Sequence, residues 1–145
     1  MNKLTKNQGT QIPYSAFLAA AGFLSVAEAL LILGGVLPHV LTYSKGNLAF
    51  SIMRLALSAL AGIYFASQGV KRCLLKGATM GGVASGILVI CSLIGKTLFN
   101  RPILGINIPG NFYLPTLLLI IIENVLLWAF IAAFSSWITG RVLKR

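Results

Sequence analysis

Residues 114–138 read LPTLLLIIIENVLLWAFIAAFSSWI, with a single charged side chain among them. At 1.5 Å per residue, a helix needs about 20 apolar residues to cross the roughly 30 Å hydrocarbon core of a bilayer. This stretch is long enough. Three others, 15–37, 48–69 and 78–99, have the same character. Proline supports the division, because inside a helix it removes a donor and clashes with the preceding turn. Pro13 and Pro115 stand at starts, Pro38 at an end, and Pro102 and Pro109 in the last connection.

The rest of the chain agrees. Of its 145 residues, 57% are hydrophobic and 10% charged, against about 25% charged in a soluble domain. So few charges cannot coat a water-exposed surface, and the chain is far too apolar for disorder. The expectation is an all-α polytopic membrane protein, a single domain over 1–145 folded as a four-transmembrane-helix bundle. The first stretch, about 23 residues long, exceeds the 7–15 apolar residues of a signal peptide, so it reads as a retained helix.

Orientation follows from the basic residues. Lys3, Lys6, Lys71, Arg72, Lys76, Arg141, Lys144 and Arg145 fall on one side of four spans, and Lys45, Arg54, Lys96 and Arg101 toward the other. The excess places both termini in the cytoplasm, in a multi-pass cell-membrane protein. Tyr14, Tyr43, Tyr113 and Trp137 fall at interfaces, as an aromatic belt requires. The net charge of +10 is thereby mostly a topology signal. Without a basic face or stacking aromatics it does not indicate nucleic acid, although GVKRCLLK (69–76) suits anionic headgroups.

Chemistry is constrained by what is missing. His39 is the sole histidine and there is no aspartate, so no metal site, cofactor site or Ser-His-acid set is expected, and no enzyme. Cys73 and Cys91 lie about 27 Å apart along a helix, too far to pair. Small residues mark helix packing, since close backbone approach drives association in lipid. Gly77 with Gly81, and Gly82 with Gly86, form two small-xxx-small pairs; Ser58, Gly62 and Ala66, then Ala21, Ser25 and Ala29, and Ala132, Ser136 and Gly140 form further stripes.

Charges within the hydrocarbon cost about 2.5–3.5 kcal/mol each on insertion scales and usually meet a partner or a cavity. Both acids of the protein, Glu28 and Glu123, fall inside spans, as does Arg54. Counted from the outer ends, they lie roughly 15, 13 and 9 Å deep respectively. The sequence therefore predicts a Glu28–Arg54–Glu123 cluster, with Ser25, Ser58 and Asn124 as hydrogen-bonding neighbours. Three roles stay open: a lock on helix register, a proton- or cation-coupled site in which a carboxylate titrates, and a charge facing a partner subunit. Lys96 lies nearer the outer end, within snorkelling reach of the cluster or the interface. The long connection NRPILGINIPGNFY (100–113) either lies on the membrane surface or dips into the bundle.

The run GVKRCLLKGATMGGVASGILVIC (69–91) resembles the middle of small four-helix prokaryotic membrane proteins of the YrzE type, and TGRVLKR (139–145) is similar to their basic tail. That resemblance implies the four-helix architecture and carries no activity. AEALL around Glu28 is similar to the first helix of small multidrug transporters, where a glutamate is essential. This chain departs from them in length, in having Arg54 and Glu123, and in its positive-inside bias. The function expected is a non-enzymatic accessory, assembly or stabilising component. Its partners are the lipid bilayer and either a homo-oligomer or a partner membrane subunit. The alternative is a small proton- or cation-coupled transporter using the intramembrane carboxylates.

Overall fold

Four helices form among the described residues, and several of their ends have a local cause. The computed structural model describes residues 12–40, 42, 44–70, 72–101, 103–104 and 110–143, and among them there is no strand. Lys3, Lys6, Tyr43, Lys71, Pro102, Pro109, Lys144 and Arg145 lie outside the described residues. The helices are α1 (Tyr14–Leu33), α2 (Lys45–Ser67), α3 (Cys73–Leu98) and α4 (Gly110–Val142). All four are long and apolar enough to cross a membrane.

α1 stops at Leu33, short of residue 37, because Gly34 and Gly35 close it. Gly35 adopts φ +76°, a conformation glycine takes without steric cost. The amides of Gly35 and Val36 turn back onto the carbonyls of Ile32 and Leu31, which is the Schellman pattern that satisfies final-turn carbonyls. Gly69, at φ +65°, ends α2 in the same way, with Val70 N–H donating to the Phe65 carbonyl. α2 starts at Lys45, earlier than 48, because the Ser44 hydroxyl caps the Asn47 amide at 3.0 Å, worth about 1 kcal/mol. α3 starts at Cys73, so Cys73 and Lys76 belong to a helix and not to the connection. α4 starts at Gly110, which makes Pro115 an interior residue where the sequence reading had placed it at the start.

Two ends can be distinguished. The terminal end carries the start of α1, the end of α4 and the passage from α2 to α3; the hairpin end carries the passages from α1 to α2 and from α3 to α4. α4 packs against α3 and α2, and α3 also packs against α1. α1 and α4 do not meet among the described residues, so α2 and α3 lie between them.

Small residues set these spacings. A Cβ on Gly77 would stand 2.6 Å from the Trp128 carbonyl oxygen and 2.7 Å from Ala132 Cβ, and one on Gly81 would stand 2.6 Å from the Asn124 carbonyl oxygen. A Cβ on Gly62 would overlap the Ala132 carbonyl oxygen. At Ala132, therefore, α4 is approached by α2 on one side and α3 on the other. The Ser58 hydroxyl adds a hydrogen bond to the Trp128 carbonyl at 2.9 Å. Around this contact lies an apolar core that includes Phe17, Ala61, Phe65, Met80, Ala84 and Trp128.

The hairpin end is closed by its own connections. Ile103 and Leu104 are fully buried. Ile103 packs on Ala29, Ile32 and Leu88, and Leu104 on Tyr113 and Leu117. The Ile103 carbonyl accepts from Val40 N–H at 2.8 Å. Of the two placements open for this connection, these two residues take the inward one. Buried Asn47 organises the other connection, its side-chain amide donating to the carbonyls of His39 (2.9 Å) and Thr42 (2.8 Å). Arg101 joins the two by donating to the Leu33 carbonyl at 2.8 Å, where a cation also suits the end of a helix dipole. The exterior is apolar, with Leu119, Leu126, Phe130 and Phe134 exposed, while Ser25, Glu28, Ser85 and Ser92 are buried.

Candidate functional site

Glu28 and Arg54 face one another across α1 and α2. The two helices run antiparallel, so Phe17 meets Tyr64 and Phe65 near the terminal end and Glu28 meets Arg54 toward the hairpin end. The Arg54 Nη2 donates to Glu28 Oε2 in a buried ion pair, with Glu28 only 1% and Arg54 7% exposed. Arg54 Nε is buried beside it without a hydrogen-bond partner. The pair makes a single Nη2–Oε2 contact and not the two-bond fork that gives guanidinium–carboxylate pairs their strength.

Glu123 stands apart from that pair. It is exposed on α4, which makes no close backbone approach to α1 among the described residues, and it is not part of the Glu28–Arg54 ion pair. What it shares with Arg54 is a cavity of about 220 Å³ between α2 and α4, lined by Val40, Leu55, Ile120, Leu127 and Trp128 together with Ser51, Arg54, Glu123 and Asn124. α2 and α4 run parallel here, since Ser58 meets Trp128 and Gly62 meets Ala132, and this register brings Arg54 level with Asn124. The structure therefore joins Arg54 to Glu28 as an ion pair and to Glu123 as a cavity wall. Glu28 is not part of that wall, and the three do not form one network.

The hydrogen-bonding neighbours expected for the cluster bond elsewhere. Ser25 donates to the Ala21 carbonyl, Ser58 to the Trp128 carbonyl and Asn124 to the Ile120 carbonyl. Ser25 and Asn124 use the carbonyl one turn back on their own helix, whereas Ser58 reaches across to α4. Of the glycines, Gly62, Gly77 and Gly81 are pressed against α4. Gly82 makes only ordinary contact with Val125 at 3.7 Å, and Gly86 has nothing within 4 Å. Within this chain, Gly82 and Gly86 thus mark no close approach between helices.

Lys96 turns away from the carboxylates. Its Nζ lies 3.8 Å from the centre of the Tyr113 ring, a cation–π contact. Tyr113 is itself buried and shares a 2.6 Å hydrogen bond with Ser92. At the terminal end Lys76 sits over the rings of Tyr14 and Phe65. Buried Cys73 accepts from the Ser136 hydroxyl at 3.2 Å. Among the described residues no three His, Cys, Asp or Glu side chains gather into a metal-binding group.

Asn47, Trp128 and Ser51 carry parts of this arrangement that sequence reasoning missed. Ser44 at the head of an apolar run was a readable N-cap signal. Nothing local distinguished Trp128 from the aromatics around it. No family model matches the chain, and neither a curated protein nor a solved structure matches it.

Proposed function

We propose that the protein is a four-helix integral membrane component, non-enzymatic, that assembles with or stabilises another membrane protein. Four long apolar helices with apolar exteriors and buried polar side chains suit a bilayer as solvent. The excess of Lys and Arg on the terminal side supports both termini in the cytoplasm of a cell membrane. One observation carries the assembly reading. Glu123 is exposed on α4 where it lines the cavity shared with Arg54, and among the described residues it has no hydrogen-bond or ion-pair partner. An unpaired carboxylate at that depth is costly in lipid alone, and a partner that covers it removes the cost.

The test is the size of the native complex. Membranes expressing wild type or Glu123→Gln are solubilised mildly and resolved by native electrophoresis. Wild type is expected in a species larger than the monomer, and the variant in a smaller one. Equal monomeric migration of both would remove the assembly reading.

A second reading is supported by the cavity that Arg54 and Glu123 share: a small proton- or cation-coupled transporter. Its test is flux into proteoliposomes with wild type and Glu28→Gln, and no difference between them would discard it. The buried pairing of Glu28 with Arg54 supports a structural role for that half of the cluster, which favours assembly over transport.

A further inference from the structure

The cavity between α2 and α4 has a definite chemical preference. Its wall carries one carboxylate, Glu123, and one guanidinium, Arg54, and that guanidinium is paired with Glu28, which lies outside the wall. Among the described residues Glu123 has no ion-pair partner of its own. Two further acceptors line the same space. The Ser51 hydroxyl donates its proton to the Asn47 carbonyl at 3.1 Å, and Asn124 donates its amide to the Ile120 carbonyl at 2.8 Å, so each retains a free oxygen lone pair. Leu55, Ile120, Leu127 and Trp128 complete the wall. With the Arg54 charge met by Glu28, the remaining carboxylate, two neutral acceptors and apolar flank of the wall match a primary ammonium on an alkyl stem, which has three donors, no acceptor and four methylenes.

The location decides the source. Glu123 lies nine residues beyond Leu114, roughly 13 Å below the outer end of its apolar run, which is within the hydrocarbon when that run spans a bilayer. A cation at such depth is carried there on a transmembrane helix. A second copy of this chain does not supply it: its Arg54 is buried and paired, and its Lys96 is engaged by Tyr113 at the hairpin end.

We infer that this cavity receives a lysine side chain from a transmembrane helix of a different protein, its ammonium meeting Glu123. The inference rests on the assembly reading and names the partner's chemistry.

The test uses the full chain with Trp137→Phe, so that Trp128 on the cavity wall is the only tryptophan. The protein is reconstituted in lipid vesicles with synthetic leucine–alanine transmembrane peptides that carry an energy-transfer acceptor. One peptide has a single lysine about 13 Å from its outer end, a second has leucine there, and a third has the lysine moved one turn. Saturable quenching of Trp128 by the first peptide is expected. Apparent affinity should fall about three- to twentyfold for the other two peptides and for Glu123→Gln, the span of measured polar contacts between membrane helices. Unchanged far-UV circular dichroism checks that the variant is folded, and Glu123→Asp should retain part of the binding.

Equal quenching by the lysine and leucine peptides, or by wild type and Glu123→Gln, overturns the inference. So does octylammonium binding as tightly as the lysine peptide, which makes a free amine the ligand, or Glu123-dependent self-association without peptide, which makes a second copy the occupant. A native complex that persists and still depends on Glu123 would keep the assembly reading even if the lysine peptide fails. Absence of any native complex removes that reading on separate grounds.

Discussion

Replacing Arg54 with methionine should destabilise the protein more than replacing Glu28 with glutamine, because the structure offers Arg54 a second carboxylate and offers Glu28 no second cation. Removing one member of a buried pair costs about 3–5 kcal/mol, since a charge is left uncompensated. Glu28 is 1% exposed, and Lys96 is turned to Tyr113, so Arg54→Met belongs at the top of that range. In Glu28→Gln the stranded guanidinium already lines the cavity that holds Glu123, and a side-chain rotation lets the two pair. That rescue should reduce the cost to about 1–3 kcal/mol, the value of a charged hydrogen bond having been recovered. The Glu28→Gln/Glu123→Gln double variant removes the rescue, and its loss should exceed the sum of the single losses by about 1–2 kcal/mol, a coupling typical of residues that share a partner. Glu28→Met/Arg54→Met should stay near wild type or gain stability, because the pair is a single contact with an unpartnered Nε and well-packed apolar replacements of such pairs are often neutral or better. Unfolding by sodium dodecyl sulfate in mixed micelles, followed by far-UV circular dichroism, gives all these free energies on one scale. If Glu28→Gln proves as costly as Arg54→Met and adds simply to Glu123→Gln, the shared use of Arg54 by two carboxylates is wrong.

The same titration tests the close approaches. Gly62→Ala, Gly77→Ala and Gly81→Ala should each lose about 1–3 kcal/mol through overpacking against the α4 backbone, whereas Gly86→Ala, with open space around it, should be neutral or gain up to about 1 kcal/mol from helix propensity; a uniform response would contradict the assigned seams. Asn47→Leu should cost about 1–3 kcal/mol by stripping the His39 and Thr42 carbonyls of their donor, and hydrogen exchange should accelerate in the α1–α2 connection while the centre of α3 stays protected.

The number and extent of the helices were legible because bilayer-length apolar runs leave few alternatives, and the differences at their ends come from chemistry on the scale of a few atoms. Gly34 and Gly35 sit inside an apolar run, yet the left-handed residue at Gly35 ends α1 there. Pro115 was read as a helix start, and α4 nonetheless begins at Gly110. The pairing of Glu28 with Arg54 was readable from matching depths on adjacent helices. Depth alone placed Glu123 in the same cluster, and it failed to separate the two because it carries no information about azimuth or about which helices touch. The same limitation applies to Gly82 and Gly86. Their spacing equals that of Gly77 and Gly81, but they lie on a different face of α3, and only the α3–α4 contact distinguishes the two faces.

That missing azimuth is also what links the two halves of the charge arrangement. α1 and α4 are separated by α2 and α3, so a cation able to serve both carboxylates has to come from one of the helices between them, and Arg54 on α2 holds that position. While it pairs with Glu28, Glu123 is open; were it to turn to Glu123, Glu28 would be stranded in the core. A lysine arriving at Glu123 from a partner helix removes the competitor for Arg54 and so strengthens the contact between α1 and α2. Thermodynamic linkage requires the converse with equal free energy: whatever weakens the hold of Glu28 on Arg54 weakens the partner's hold on Glu123. Glu28→Gln should therefore reduce lysine-peptide quenching of Trp128, although Glu28 does not line the cavity. A peptide affinity indifferent to Glu28 would mean that Arg54 belongs to α1 alone and that the two carboxylates act independently.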